Sequence, residues 1–397
     1  MTHPALARMT TVVAPQRSRH AARTRGMRTH GSTTDTLVLP RLRLLTACAL
    51  FVACAGDEAA TTVGRETFLN DFSCRSCMIV VDTIAWVGHP DDTLALKSGY
   101  RPAMDSRGRF YVPDADQSAV HVFRPDGRLL TTFGRAGHGP GEFSRIRDIT
   151  VVEGDTLLIA SESDTHIIAP DYSHVRQYKR RGVRPAAVLA RSRLLFSGGT
   201  GPNQFYLVDI NGVREPAIKL KDADTTTCAV CSQRFFAESN VPGSIWSGSV
   251  VSYAVEHYDL SGNLLHRFVR KTDWLLPAER SKELGATDED FFTNLALPRL
   301  MGVRQGTDGI LWTHLTKVED MAALKGLDLF EPAGSAEFHS AMVTTIEAID
   351  PQRKQLLAGI KLAGPVYPLA RDYSALLIEE GNGEKSWRVL RFTMRKD

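Results

Sequence analysis

What this chain lacks narrows its function first. No apolar run reaches the ~20 residues that a membrane-spanning helix requires. The run Leu44–Ala53 is only about ten residues long. There are 12 histidines, yet neither His-Glu-x-x-His nor any other compact metal spacing occurs, so a local zinc-hydrolase site is absent. Gly-x-Ser-x-Gly is missing, and with it the nucleophile elbow of a serine hydrolase. No basic stripe with interleaved aromatics is present, which argues against a nucleic-acid surface. The net charge of +3 misleads on this point: residues 1–43 carry eight arginines and one acid, Asp35, so the remainder is acidic on balance.

What is present begins with an export signal. Arg41-Leu-Arg43 precedes the apolar run, and small residues follow it up to Cys54. A positive flank, a short apolar segment and a small-residue exit make a secretory signal. Residues 1–54 are therefore read as a basic extension plus signal, and residues 55–73 as a small, polar tether. The segment also resembles a bacterial lipoprotein signal, whose last Cys becomes lipidated. Phe51-Val-Ala-Cys54 leaves a full apolar region before it and is preferred; Leu45-Thr-Ala-Cys48 is the alternative. Ala55 stands where an inner-membrane retention signal would place Asp. The resemblance therefore implies an exported protein, in the outer membrane or periplasm, touching the membrane through a lipid only.

From residue 99 the chain repeats short strands with Asp-Gly-type turns between them, a hairpin signature. The first copy takes Arg101–Asp105, Arg109–Val112, Ala119–Phe123 and Leu129–Phe133 as its strands. Further copies follow at 146–179, 186–220, up to 269, 300–360 and 366–393. The last has three strands, and Met78–Val87 is free to supply the fourth. Residues 74–397 are thus expected to form an all-β, six-bladed β-propeller closed by an N-terminal strand in the last blade. Two stretches break the period, Lys271–Pro298 and Val318–Met342. Thr287-Asp-Glu-Asp290 resembles a capping box, and Val318–Lys325 has a helical pattern, so each is expected as a short helical insertion.

Phe133-Gly-Arg-Ala-Gly-His-Gly-Pro-Gly-Glu-Phe143 joins the first two copies. With the strands around it, it resembles the NHL-repeat family, and more closely the bacterial exported six-bladed propellers of that kind. The match is specific over residues 99–160 and architectural beyond. It implies a fold and an interaction surface, not one activity. The glycines serve the tight joint: no Lys-Ser/Thr follows and a strand comes next, so a phosphate-cradling loop is disfavoured.

Four cysteines lie beyond the signal, Cys74, Cys77, Cys228 and Cys231. Two Cys-x-x-Cys pairs can hold zinc, but an exported protein favours disulfides. The propeller places the two pairs at opposite blades and on opposite faces, so two local disulfides are preferred, with a shared metal site or free thiols as alternatives.

The remaining polar residues divide between turns and the channel. His89-Pro-Asp-Asp92 reads as a polar turn. His121 and His257 fall in strands, and His138 lies exposed in the joint. Asp105, Asp148 and Arg371-Asp372 end or line inner strands, and Asp105 and Asp372 are better explained as turn openers. No catalytic, cofactor or metal residue is assigned. The expectation is a binding module for a protein, peptide or carbohydrate ligand, without nucleic acid. The alternative is a metal-dependent lactonase, hydrolase or lyase holding Ca²⁺ or Zn²⁺ in the channel; related rings build such sites from single residues of several blades, which leave no local motif.

Overall fold

The second and third strands of a repeat carry side chains that water does not reach on either face. Phe110–Asp114, Ala119–Phe123, Asp164–Ile168 and Ser244–Ser249 are buried at every position, whereas the outer strand Leu129–Phe133 is largely exposed. A sheet buried on both faces needs a neighbour on each side, and a ring of sheets provides it. The computed structural model describes residues 60–63, 65–88, 94, 96, 101–162, 164–179, 184–189, 193–197, 204–209, 214–221, 234–250, 253–270, 298–320, 327, 331–370, 372–380 and 382–396.

These residues form five four-stranded antiparallel sheets and one of six strands. Blade 1 spans residues 103–133, blade 2 spans 146–179, blade 3 spans 184–219, blade 4 spans 234–269 and blade 5 spans 299–363. Blade 6 takes Val366–Ala370, Tyr373–Glu379 and Lys385–Lys396 from the end of the chain. Its outer strand is Cys77–Val87, paired from Trp387↔Val87 to Lys396↔Cys77. Each inner strand lies against the next, and that of blade 6 against that of blade 1. The ring is closed as the sequence leads one to expect.

The apolar core is a set of layers between blades. Trp246, Val255 and Phe268 of blade 4 meet Leu300, Val303 and Leu315 of blade 5. Trp312, Ile346 and Ile360 of blade 5 meet Val366, Leu390 and Phe392 of blade 6. Ala85, Val87, Trp387 and Val389 of blade 6 meet Phe110, Val112 and Phe123 of blade 1. That last layer is the seam. Gly127 (φ 87°) turns the outer hairpin of blade 1 so tightly against blade 6 that a Cβ there would stand 1.7 Å from the Trp86 carbonyl oxygen.

Two expectations change. Part of the expected tether is folded: β1 (Ala60–Val63) and β2 (Glu66–Leu69) make a hairpin, and β2 runs parallel to Arg267–Val269 at the outer edge of blade 4. The reason is electrostatic as well as steric. Arg267 donates to Glu66 at 2.6 Å and to the fully buried Glu256 at 2.8 Å. Glu256 also takes Arg234 and, at 3.0 Å, the Tyr258 hydroxyl. From there the chain crosses blade 5, where Ser73 N and Oγ donate to the Leu356 carbonyl at 2.8 and 3.0 Å. The Phe72 ring lies 5.5 Å below the Arg270 guanidinium. The Cys74–Cys77 disulfide then leads into the closing strand. One N-terminal segment thereby fastens blades 4, 5 and 6.

The second concerns where the helix expected within Val318–Met342 lies. Val318 ends the strand Leu311–Val318, and α1 forms later, at Pro332–Ala341, with Pro at its first turn. A strand eight residues long carries the chain past the position where the helical pattern starts. Residues 321–326 of the expected helical pattern, the expected insertion at Lys271–Pro298 and the pair Cys228/Cys231 lie outside the described residues, apart from Pro298 itself.

Gly127→Ala is expected to cost about 2–4 kcal/mol in urea unfolding, because a positive φ and a backbone clash coincide. Gly154→Ala, at φ 75° with nothing near its Cβ, should cost only about 1–2 kcal/mol; equal losses would show that the seam does not matter. Glu256→Gln should cost about 3–5 kcal/mol, since it removes the buried charge that Arg234 and Arg267 share. Glu66→Gln, whose side chain is 38% exposed, should cost about 1 kcal/mol or less.

Candidate functional site

Antiparallel pairing fixes which parts of the chain share a face of the ring. Every inner strand runs the same way, so the starts of inner strands, the blade-to-blade connections and the loops between second and third strands lie on one face. The hairpin turns between first and second strands lie on the other.

On that other face the turns are locked to one another. Asp155 of blade 2 accepts from Ser106 N and Oγ of blade 1, both at 2.9 Å. Asn240 N of blade 4 donates to Gln305 at 2.7 Å, and Asn240 Nδ2 donates to the Gly306 carbonyl at 3.0 Å. Asp372 of blade 6 accepts from Thr307 N of blade 5 at 2.8 Å. Asp105 accepts from Arg109 N, Arg109 Nε and the Tyr111 hydroxyl at 2.8, 2.6 and 2.9 Å. Asp105 and Asp372 are therefore turn groups, as the sequence leads one to expect.

The face at the starts of the inner strands is built differently. Arg101 precedes the inner strand of blade 1 and meets Asp148 of blade 2 at 3.6 Å. Asp148 also accepts from Ile149 N at 2.9 Å. Arg299 opens the inner strand of blade 5, and Tyr367 is the second residue of that of blade 6. Three residues after Arg299 and one after Tyr367, these strands touch so closely that a Cβ on Gly302 would stand 2.4 Å from Pro368. Burial pushes the Tyr367 phenol up, with Arg299 and then Arg101 pulling it down. Burial also lowers the Arg299 guanidinium, with Tyr367 opposing. Both cations therefore act on one phenol. All four side chains keep part of their surface in solvent, as groups at a channel end should. Together they form a polar arc over blades 5, 6, 1 and 2.

Around this arc stand the longer connections. The Gly-rich joint is self-contained: Arg135–Ala136 pairs in parallel with Glu142–Phe143, Glu142 accepts from Arg135 Nε at 2.9 Å and from Gly139 N at 3.0 Å, and Phe143 is fully buried. Gly134 (φ 85°) packs directly on the Phe143 ring. His138 is exposed on it. Helix α1 belongs to the same face. Ser335 and His339 bind Glu379 of blade 6 at 3.0 and 2.5 Å, and Lys385 binds its other oxygen at 3.1 Å. Burial works to raise the Glu379 carboxyl, but these partners outweigh it and hold it low.

The other histidines foreseen in strands are core groups. His121 bonds Thr132 at 2.9 Å and Asp114 at 3.3 Å. His257 bonds Ser244 at 2.8 Å and stacks on Trp246. His89, Arg371, Cys48 and Cys54 lie outside the described residues. Among the described residues, no three His, Cys, Asp or Glu gather to hold a metal ion, and no helix is long and apolar enough to cross a membrane. Sequence reading singled out Asp148 of the arc and missed Arg101, Arg299 and Tyr367. Their only signal is their common place at inner-strand starts.

The comparisons agree with this architecture. Residues 103–176 match a family model described as DUF5128, a 6-bladed beta-propeller. A DUF4221 member from Bacteroides vulgatus is similar at TM-score 0.56 and 9% identity, over 80% of this chain and 99% of that one. A Bacteroides fragilis protein named for its presumed export is similar at TM-score 0.50 and 9% identity, over 83% and 100%. At these identities the likeness shows the fold alone. No curated protein matches the chain in sequence.

Burial pushes His166, His257 and His266 down to about 4 and His314 well below its usual value. The unfolded chain, with histidine near 6.5, then binds more protons than the folded one between about pH 6.5 and 4. Stability should be level above about pH 7 and fall steadily as pH drops through that window. Buried Glu347, raised by desolvation, opposes this as a single group. Urea midpoints measured from pH 7.5 to 4 check it, and a flat profile would contradict burial of these rings.

Proposed function

We propose that this propeller is an exported, lipid-anchored binding module of the cell envelope that takes its ligand at the channel end bearing the arc. The observation that carries the reading is the difference between the two faces. On one, turn-to-turn hydrogen bonds tie blade 1 to 2, blade 4 to 5 and blade 5 to 6. The other presents Arg101, Asp148, Arg299 and Tyr367 from four blades, with α1 on the same face. A rigid ring with convergent polar groups at its centre is a preformed ligand site. Its partner is a protein, peptide or carbohydrate, and the fold by itself specifies no reaction. No observation favours the channel-metal enzyme as a second reading.

Export and anchoring rest on the signal-like segment ending at Cys54, with Cys48 as the alternative. Resemblance to a protein named for its export lends support. If Cys54 carries the lipid, five residues separate it from Ala60 of β1. That length reaches at most roughly 20 Å, so the outer edge of blade 4 would lie close to the membrane and the channel axis along it.

Hydrogen exchange on the full chain, with and without an extract of bacterial envelopes containing their proteins, peptides and carbohydrates, tests the binding reading. Protection is expected at residues 101–104, 146–149, 299–302 and 366–368, with the turns at 105–109 and 306–310 unchanged. Protection confined to those turns, or nowhere, would contradict it.

A further inference from the structure

We propose that the arc of Arg299, Tyr367, Arg101 and Asp148 binds a small hydroxylated organic acid, of the chemistry of a sugar acid. This rests on the binding reading and names its ligand class. The argument begins with donors and acceptors. Two guanidiniums supply planar pairs of N–H donors that match a carboxylate. The Tyr367 hydroxyl donates or accepts. Asp148, when ionised, only accepts.

Arg101 and Asp148 are 3.6 Å apart, so any anion held by Arg101 has a carboxylate as its neighbour. That arrangement repels a compact, multiply charged group such as inorganic phosphate. It suits a ligand with one negative group toward Arg299 and Arg101 and a hydroxyl toward Asp148. The four side chains come from four blades held by contacts such as Gly302 on Pro368, so the site exists before the ligand arrives and little ordering is needed on binding.

The ion clusters elsewhere differ in kind. Glu256 lies between Arg234, Arg267 and Tyr258, and its side chain is wholly buried. Glu347 is enclosed by Tyr253 at 2.6 Å and Arg270 at 3.1 Å. Those groups face protein on every side and hold blades together. The arc keeps its side chains partly in solvent at the ring's centre, where a ligand can reach them.

The test is calorimetric titration of the full chain with glucuronate, inorganic phosphate and glucose. Glucuronate should bind saturably, and phosphate and glucose should bind more weakly or not at all. Arg299→Gln and Arg101→Gln should each weaken glucuronate about tenfold or more, as loss of a charge-assisted pair implies, while Arg299→Lys should recover part of the loss. Asp148→Asn should raise phosphate affinity, which a merely structural aspartate would not do. Arg101, 37% exposed, serves as the folded variant should Arg299→Gln fail to fold. Absence of glucuronate binding, or binding unchanged in both arginine variants, overturns the inference. Binding of glucose alone overturns it too, and so does phosphate binding in preference to glucuronate, yet either leaves the binding reading in place. Loss of the exchange protection described above is what removes that reading.

Discussion

The structure depends on one constraint: a blade whose middle strands are apolar on both faces cannot stand alone. Each face is covered by the next blade, and only a closed ring leaves no blade with a bare side. Closure is therefore the step on which every layer of core depends. The chain achieves it with the strand Cys77–Val87, paired along its length with the last strand of blade 6. The same layer carries Trp387, Phe110 and Phe123 from the two blades that meet there. Opening that seam exposes aromatic surface on both sides, each large side chain being worth about 1.5–3 kcal/mol of burial.

The N-terminal segment extends this closure. A strand that completes a ring must be held at its start, where fraying would begin. Here the residues before it are tied down in turn, β2 on blade 4 through Arg267 and Ser73 on blade 5 through Leu356. The local disulfide stiffens the last corner before the strand. Three blades distant in sequence are thus bound by about a dozen consecutive residues, which no blade-by-blade view of the repeat would suggest.

Much of this was legible in the sequence because turns are local. Asp126-Gly127 and Ser261-Gly262 announce hairpins by the positive φ that glycine alone supplies cheaply. The hairpin at Ala60–Leu69 was not legible: Ala-Ala-Thr-Thr-Val is small and polar, and its strand state is set by an edge it meets more than 190 residues later. The helical pattern begins at Val318, but cross-strand pairing of Lys317 and Val318 with Val343 and Met342 holds that start in a strand; residues 321–326 lie outside the described residues. Pro332, at the first turn of α1, was the better signal. For the candidate site, Asp148 was readable as a polar residue in an inner strand. Arg101 and Arg299 lie far apart in the chain, and only the closed ring makes them neighbours of one phenol.

That last point bears on how a propeller separates stability from function. Charges placed between blades must be matched, because a buried ion without partners costs several kcal/mol. Glu256, Glu347 and Glu379 each meet that demand with two or more donors. At the end of the channel the demand is weaker, since partly exposed charges such as Arg101 and Asp148 pair with each other and also reach water. The inner-strand starts therefore carry arginine, tyrosine and aspartate that keep part of their surface in solvent. The turns of the opposite face differ, because their aspartates and asparagine hold one blade to the next. In this chain the groups that tie blade to blade lie at one end of the channel and at the rim, and the partly exposed arc lies at the other end.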